Sequence, residues 1–232
     1  MSAGFASGVF VYGDQAPKFD LFGQRRYGTV YADPPWRFET YSEKGRGRSA
    51  DFVERQEALP LLDVEESVSA EKHYPTMPTA DICALPVGDI ADDDCALYLW
   101  GTLSMLEDAL RVGRAWGFTY KTARIWAKLR TTGFDCLLTL EQNFPMGTGY
   151  IVRGNPEILL IATRGKPAFA HKARALIVSP RREHSRKPDI VVRDIERASP
   201  GPRIELFCRK PAPGWDAWGN QTDRFAETAD AA

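Results

Sequence analysis

The run Tyr27-Gly28-Thr29-Val30-Tyr31-Ala32, followed by Asp33-Pro34-Pro35-Trp36, restricts the fold more than any other stretch. Thr29 to Ala32 is β-prone and apolar enough to be a buried strand. Neither proline has an N–H to give to a ladder, and each fixes its own φ while restricting the residue before it. The strand therefore ends at Asp33 in a stiff corner, where open α/β sheets place their ligands. That corner offers the Asp33 carboxylate, the Pro34 carbonyl as an acceptor with no ladder duty, Pro35 as an apolar wall and Trp36 as a flat stacking surface. A flipped nucleobase with an amine edge can use all four. A strand that simply ends in a turn uses the same residues, because Asp-Pro steps commonly start turns.

The 232 residues suit one α/β domain with a sizeable core. Thirty basic residues stand against 31 acidic ones, so whole-chain charge does not point to nucleic acid, but local charge does. Arg164 to Lys187 carries eight basic residues against the single acid Glu183. Lys166, Lys172, Arg181, Arg182 and Arg186 within it are candidates for phosphate contacts. A solvated charged loop is the other reading of the same stretch. Glu54 to Glu71, with six acids and one base, is expected to face away from nucleic acid. Four scattered cysteines and three histidines form no metal-ligand spacing or disulfide framework, so no metal is expected. No signal-peptide pattern or membrane-length apolar run is visible, and free thiols fit a cytoplasmic protein.

Along the chain, residues 1–18 read as a loosely ordered segment, with Val9 to Tyr12 as an optional edge strand. Residues 19–225 read as the domain, 38–72 as a mobile loop with a short helix around Phe52 to Leu62, and 226–232 as a disordered tail. Thr79 caps a short helix that stops at Pro86. Cys95 to Trp100 is a continuous apolar strand. Ser104 and Glu107 have capping-box spacing ahead of a helix ending at Gly117. Phe118 to Trp126 and Glu157 to Thr163 are further strands, separated by a loop-rich region from Lys128 to Asn155. Pro188 opens a helix whose apolar face is Ile190, Val191, Ile195 and Ala198. Arg203 to Phe207 is the last core strand. Strands alternating with helices predict an α/β fold with a mostly parallel sheet and helices on both faces. No glycine-rich dinucleotide or phosphate-binding loop follows any strand.

Several blocks in order complete a family pattern: Asp33-Pro-Pro-Trp36, His73-Tyr-Pro-Thr-Met77, Leu97-Tyr-Leu-Trp-Gly-Thr102, Ala115-Trp-Gly-Phe118 with Lys121-Thr122, Gly149-Tyr150, Glu183-His-Ser-Arg-Lys-Pro188, Arg203-Ile-Glu-Leu-Phe207, Gly214-Trp215 and Trp218-Gly-Asn-Gln221. From about Thr29 to Gln221 the chain resembles the MT-A70-like adenine methyltransferases. The resemblance implies a single Rossmann-like methyltransferase domain with circularly permuted motif order, in which the catalytic strand comes first. It also implies S-adenosylmethionine as cofactor and the 6-amino group of adenine as acceptor, in DNA with RNA as the alternative, or else a catalytically silent nucleic-acid-binding scaffold. The oligomeric state stays open.

Carried over by position, Asp33 and the Pro34 carbonyl resemble the pair that holds the target amine, and Pro35 and Trp36 shape the base pocket. Asp33, Lys187, Glu205, Phe207, Arg209, Asn220 and Gln221 fall on positions that resemble the family's cofactor contacts. Their chemistry is suitable: Glu205 can accept ribose hydroxyls, Asn220 and Gln221 can donate and accept, and Lys187 can meet a carboxylate. His73 and His184 fit a structural role as well as a substrate contact.

Overall fold

The computed structural model describes residues 25–37, 76–146, 151–183 and 185–219. The expectations for the N-terminal segment, the 38–72 loop, the acidic stretch and the C-terminal tail lie outside these residues. So do those for His73, His184, Gly147 to Tyr150, Asn220 and Gln221.

The described residues form a mixed seven-stranded sheet: β1 (Tyr27–Ala32), β2 (Ala91–Thr102), β3 (Thr119–Leu129), β4 (Glu157–Arg164), β5 (Leu176–Pro180), β6 (Arg203–Leu206) and β7 (Asp216–Trp218). Their order across the sheet is β5-β3-β4-β2-β1-β6-β7. β1 pairs in parallel with β2 and β6, β6 with β7, and β3 with β5; β4 alone runs against its neighbours β2 and β3. Every residue of β1 is buried, as expected of a strand with a parallel neighbour on each side and both faces covered.

The period-2 alternation of the strands divides the apolar residues between two cores. Val30, Ala32, Leu97 and Leu99 face one side. That side is covered by α1 (Thr79–Ala84), α2 (Val87–Ile90) and α3 (Leu106–Ala115), through Ile82, Val87, Ala109 and Val112. Tyr31, Ala96, Tyr98 and Trp100 face the other, where α5 (Asp189–Ala198) buries Val191 and Ile195. The short α4 (Leu140–Asn143) lies between β3 and β4.

Local details depart from the sequence reading. α3 starts at Leu106 after a 3₁₀ turn at Leu103–Met105, and Ser104 makes no cap; its hydroxyl instead shares a 3.0 Å hydrogen bond with that of Thr102. Thr79 lies inside α1, with Pro78 at the cap position, and Pro188 is the cap of α5 rather than its first helical residue. Ile190 is 43% exposed, because the buried stripe of α5 runs through Val191, Ile195 and Ala198, and one residue along a helix is a rotation of about 100°. β5 and β7 were hidden in the sequence by charged and proline-rich surroundings. The region between β3 and β4 is not a plain loop, since its α4 carries a true capping box between Thr139 and Gln142.

Candidate active site

β1 delivers Asp33 to the rim formed by the C-terminal ends of the parallel strands. Ala32 is level with Leu99 of β2 and Leu206 of β6, so the residues that follow β6 reach the same rim. β4 runs the other way, and it is therefore its first residue, Glu157, that lies there, opposite Thr102. β5 ends at the rim too and sends the chain through Ser185 to Lys187 past Asp33.

The Asp-Pro-Pro-Trp corner is fixed by its own backbone. The Trp36 N–H donates to the Pro34 carbonyl at 2.9 Å, the Met77 N–H to the Pro35 carbonyl at 2.7 Å, and the Arg37 N–H to the Met77 carbonyl at 3.1 Å. The Pro34 oxygen is thus not idle, although a carbonyl with one donor keeps a second lone pair. Trp36, read as a flat stacking surface, is packed into the core. It is 6% exposed, belongs to the core, and donates its indole N–H to the Trp100 carbonyl at 3.1 Å.

Asp33 is the meeting point of a charged chain. Its carboxylate takes Lys187 Nζ at 2.8 Å and pairs with Arg209 Nη2. Lys187 continues to Glu157 at 3.2 Å, and Glu157 binds Lys128 Nζ at 2.5 Å. These side chains, Asp33, Lys187, Glu157 and Arg209, are only 11–15% exposed. Burial alone would raise the Glu157 carboxyl, but Lys187 and Lys128 outweigh it and hold it at about 2. Burial works against the charge on Lys187, yet Asp33 and Glu157 keep its pKa above the ordinary lysine value. Trp100 underlies the cluster: Lys187 Nζ sits 5.5 Å from its ring centroid, and its indole N–H donates to the Tyr31 hydroxyl at 2.8 Å.

A cavity of about 280 Å³ opens beside this cluster, between α5 and the chain after β6. Tyr31, Asp33, Lys187, Glu205, Phe207 and Arg209 line it, together with Pro211 to Pro213. Burial pushes the Glu205 carboxyl up to about 8, with Asp33 adding to the rise, so at neutral pH it is mostly protonated and can donate as well as accept. Ser185 and Phe207, the two non-glycine residues with left-handed backbone among those described, both line the cavity. Such strain collects at ligand sites.

The structure therefore brings together Asp33, Lys187, Glu205, Phe207 and Arg209. At the edge of this group Trp218, 5.3 Å from Phe207 in an edge-to-face contact, leads to Gly219, where a Cβ would lie 2.6 Å from the Cys208 carbonyl oxygen. The candidate phosphate contacts are split. Arg182 pairs with Asp189 at 2.6 Å and Arg186 with Glu183 at 3.0 Å, both near the rim. Lys166 is at the opposite end of the sheet, because β4 exits there: Arg164 is level with Cys95, and the Lys166 N–H donates to Asp94 Oδ1 at 2.6 Å. Lys172 follows Ala170, whose N–H is held by the carbonyl of Ala198 at the far end of α5. These two lysines do not share a surface with Asp33. The sequence reading missed Glu157, Lys128 and Trp100 as members of the site. An acid heading a fully apolar strand was the available signal, since a buried carboxylate needs partners.

Among the described residues, no helix is long and apolar enough to cross a membrane, and no group of three or more His, Cys, Asp or Glu is placed to hold a metal ion. The sequence model of the MT-A70 family matches residues 27–221. Type II methyltransferase M.MunI of Mycoplasma sp is 31% identical over 206 residues, covering 87% of this chain and 80% of that protein. The N(6)-adenosine-methyltransferase MT-A70-like protein of Drosophila melanogaster is 31% identical over 172 residues, and the human N(6)-adenosine-methyltransferase catalytic subunit METTL3 is 28% identical over 204. The matches cover 72% and 85% of this chain, but only 27% and 28% of those longer proteins. With the family match spanning most of the chain, and with the Asp-Pro-Pro-Trp corner at the C-terminal end of the first strand, the chain belongs to the MT-A70 family.

Proposed function

We propose that the protein transfers a methyl group from S-adenosylmethionine to the exocyclic 6-amino group of adenine in nucleic acid, with DNA as the favoured substrate. The observation that carries this reading is Asp33: a carboxylate at the end of β1, inside the sheet between β2 and β6, at the mouth of a cavity, beside a carbonyl with a lone pair to spare. Family membership and the near full-length match to M.MunI support it.

The cavity suits the cofactor chemically. Lys187 and Arg209 would hold its carboxylate, Glu205 its ribose hydroxyls, and Tyr31 and Phe207 supply apolar contact. Glu205 as a protonated donor and acceptor matches a neutral diol better than a second carboxylate would. When bound, the cofactor supplies an electrophilic methyl group on a sulfonium.

The work of the chain's own residues follows from the acceptor amine. The lone pair of an adenine amino group is conjugated into the ring, so the nitrogen is a poor nucleophile. Asp33 and the Pro34 carbonyl, by accepting its two hydrogens, localise that lone pair outward. Asp33 has lone pairs enough to accept an N–H while keeping a cation, and Glu157 offers Lys187 a second anchor when it loosens from Asp33. Catalysis is then positioning and preorganised charge, without a covalent enzyme intermediate. In a duplex the base must first leave the stack, at a cost of a few kcal/mol.

The test is incubation with labelled S-adenosylmethionine and matched DNA and RNA panels, followed by identification of the modified base. Label in N6-methyladenine of DNA is the expected result. Label in RNA alone would move the substrate to RNA, and no incorporation into any adenine-containing nucleic acid would overturn the function in favour of a silent scaffold.

A further inference from the structure

Two arms bring positive charge to Asp33 from opposite walls of the cavity. Lys187 belongs to the segment that leads into α5, between the left-handed Ser185 and the cap residue Pro188. Arg209 belongs to the chain after β6, two residues past the left-handed Phe207. Lys187 Nζ spans the carboxylate, 2.8 Å from Oδ1 and 2.9 Å from Oδ2, and Arg209 Nη2 pairs with Oδ2. Both oxygens of Asp33 are therefore engaged by cations.

This arrangement bears on the acceptor amine. An amine N–H needs an aligned lone pair on one oxygen, and a carboxylate shared between two cations is a weaker acceptor for it. Loosening a cation is costly here. The side chains of Asp33, Lys187 and Arg209 are only 11–14% exposed, and a buried ion that loses its partner bears its desolvation uncompensated. The cost falls when another anion receives the cation. Lys187 has Glu157 Oε2 at 3.2 Å, but that carboxylate already takes Lys128 Nζ at 2.5 Å. The amino-acid carboxylate of the cofactor is a further anion, brought to the cavity that Lys187 and Arg209 both line.

We infer that Lys187 and Arg209 couple the two ligands of this site: they turn to the carboxylate of the cofactor and, in doing so, release Asp33 to the 6-amino group of adenine. This rests on the cofactor and acceptor proposed above, and adds that the acceptor position is specific for a protein loaded with a carboxylate-bearing nucleoside. A nucleoside without that carboxylate can fill the apolar part of the cavity, against Tyr31 and Phe207, and leave Asp33 engaged. Coupling between ligands is reciprocal, so the acceptor strand tightens the cofactor by the same factor.

The experiment measures by calorimetry the affinity of an adenine-containing single strand, as DNA and as RNA. It is measured for the protein alone, with saturating S-adenosylhomocysteine and with saturating methylthioadenosine. The first nucleoside carries the amino-acid carboxylate and has no methyl group to transfer; the second has the same base, ribose and thioether sulfur without the carboxylate. A control strand has purine, which lacks the 6-amino group, in place of every adenine. A Lys187→Met variant is compared, with its thermal midpoint as the check on folding. The expected result is that S-adenosylhomocysteine tightens the adenine strand about tenfold, within the usual span of coupling between two ligands. Methylthioadenosine leaves that affinity unchanged, the purine strand is indifferent to both nucleosides, and the variant loses most of the effect. An equal effect of both nucleosides, equal tightening of the purine strand, or full coupling in a folded Lys187→Met variant overturns the inference. A variant that fails to fold leaves the two nucleosides to decide. S-adenosylhomocysteine and strand that each bind without affecting the other overturn the coupling and leave the methyltransferase reading intact. A protein that binds no S-adenosylhomocysteine, or neither strand, overturns both.

Discussion

Glu157 and Glu205 are two glutamates buried at one rim, on β4 and β6 to either side of β1, and they end in opposite charge states. Glu157 lies between Lys128 and Lys187 and is held at about 2. Burial dominates at Glu205, which is pushed to about 8 although Arg209 is close. Burial acts on both in the same direction, so the number of cations in direct contact decides the outcome. The rim is consequently asymmetric. The β4 side is an ionised lattice that can exchange partners with anions, and the β6 side is a mostly neutral carboxyl suited to hydroxyls. Asp33 stands between them, paired with Lys187, which also pairs with Glu157, and with Arg209, whose charge acts on Glu205 through space.

The largest expected effect comes from neutralising that midpoint. Asp33→Asn should lower turnover at saturating substrates by about 10²–10³-fold, the usual cost of losing one preorganised electrostatic contact. Near wild-type turnover would separate the chemistry from the corner altogether.

Glu157→Gln tests whether the β4 side depends on a true carboxylate. The unfolded chain takes up a proton near the ordinary glutamate value and the native site near 2. Glu157 thus stabilises the fold above about pH 4.5, and this contribution is lost as pH falls through about 2. The variant should be less stable at pH 7 by about 3 kcal/mol. Denaturant titrations across pH should show the difference shrinking in acid; a constant difference would mean that packing, not charge, is at stake.

Glu205→Gln probes the other side with the opposite sign. Between about 4.5 and 8 the native state keeps a proton that the unfolded chain has released, so stability falls as pH rises through that window. The amide should remove a slope of up to about 1.4 kcal/mol per pH unit, read from thermal or denaturant midpoints. An unaltered slope would place that proton elsewhere. Trp36→Phe should have the smallest effect, a stability loss of about 1 kcal/mol from the unpaired Trp100 carbonyl. A large change in substrate affinity with unchanged stability would restore Trp36 as a surface that meets the base.

Residues that depend on local pattern were legible. The apolar run of β1, the two prolines after it and the continuous strands β2 and β4 are written as strand and stop, and the family motifs brought Asp33, Lys187, Glu205 and Arg209 to one place. What failed depended on neighbours distant in sequence. Ser104 has the spacing of a cap, but a 3₁₀ turn shifts the start of α3 beyond it. Trp36 reads as a flat stacking surface, and only β2 shows that its indole N–H is given to the Trp100 carbonyl within the core. Lys166 and Arg186 share one basic stretch, and only the direction of β4 shows that they do not share a surface.

That direction has an architectural consequence. The reversed strand leads the chain to the pole away from Asp33, where Gly165 is pressed against Asp93 and the mostly exposed residues from Lys166 to Phe169 precede the return at Ala170. A module spliced between Lys166 and Phe169 would hang from the back of the molecule, clear of the ligand rim. The fold thus leaves one pole room to lengthen while the ligand rim at the other stays unobstructed.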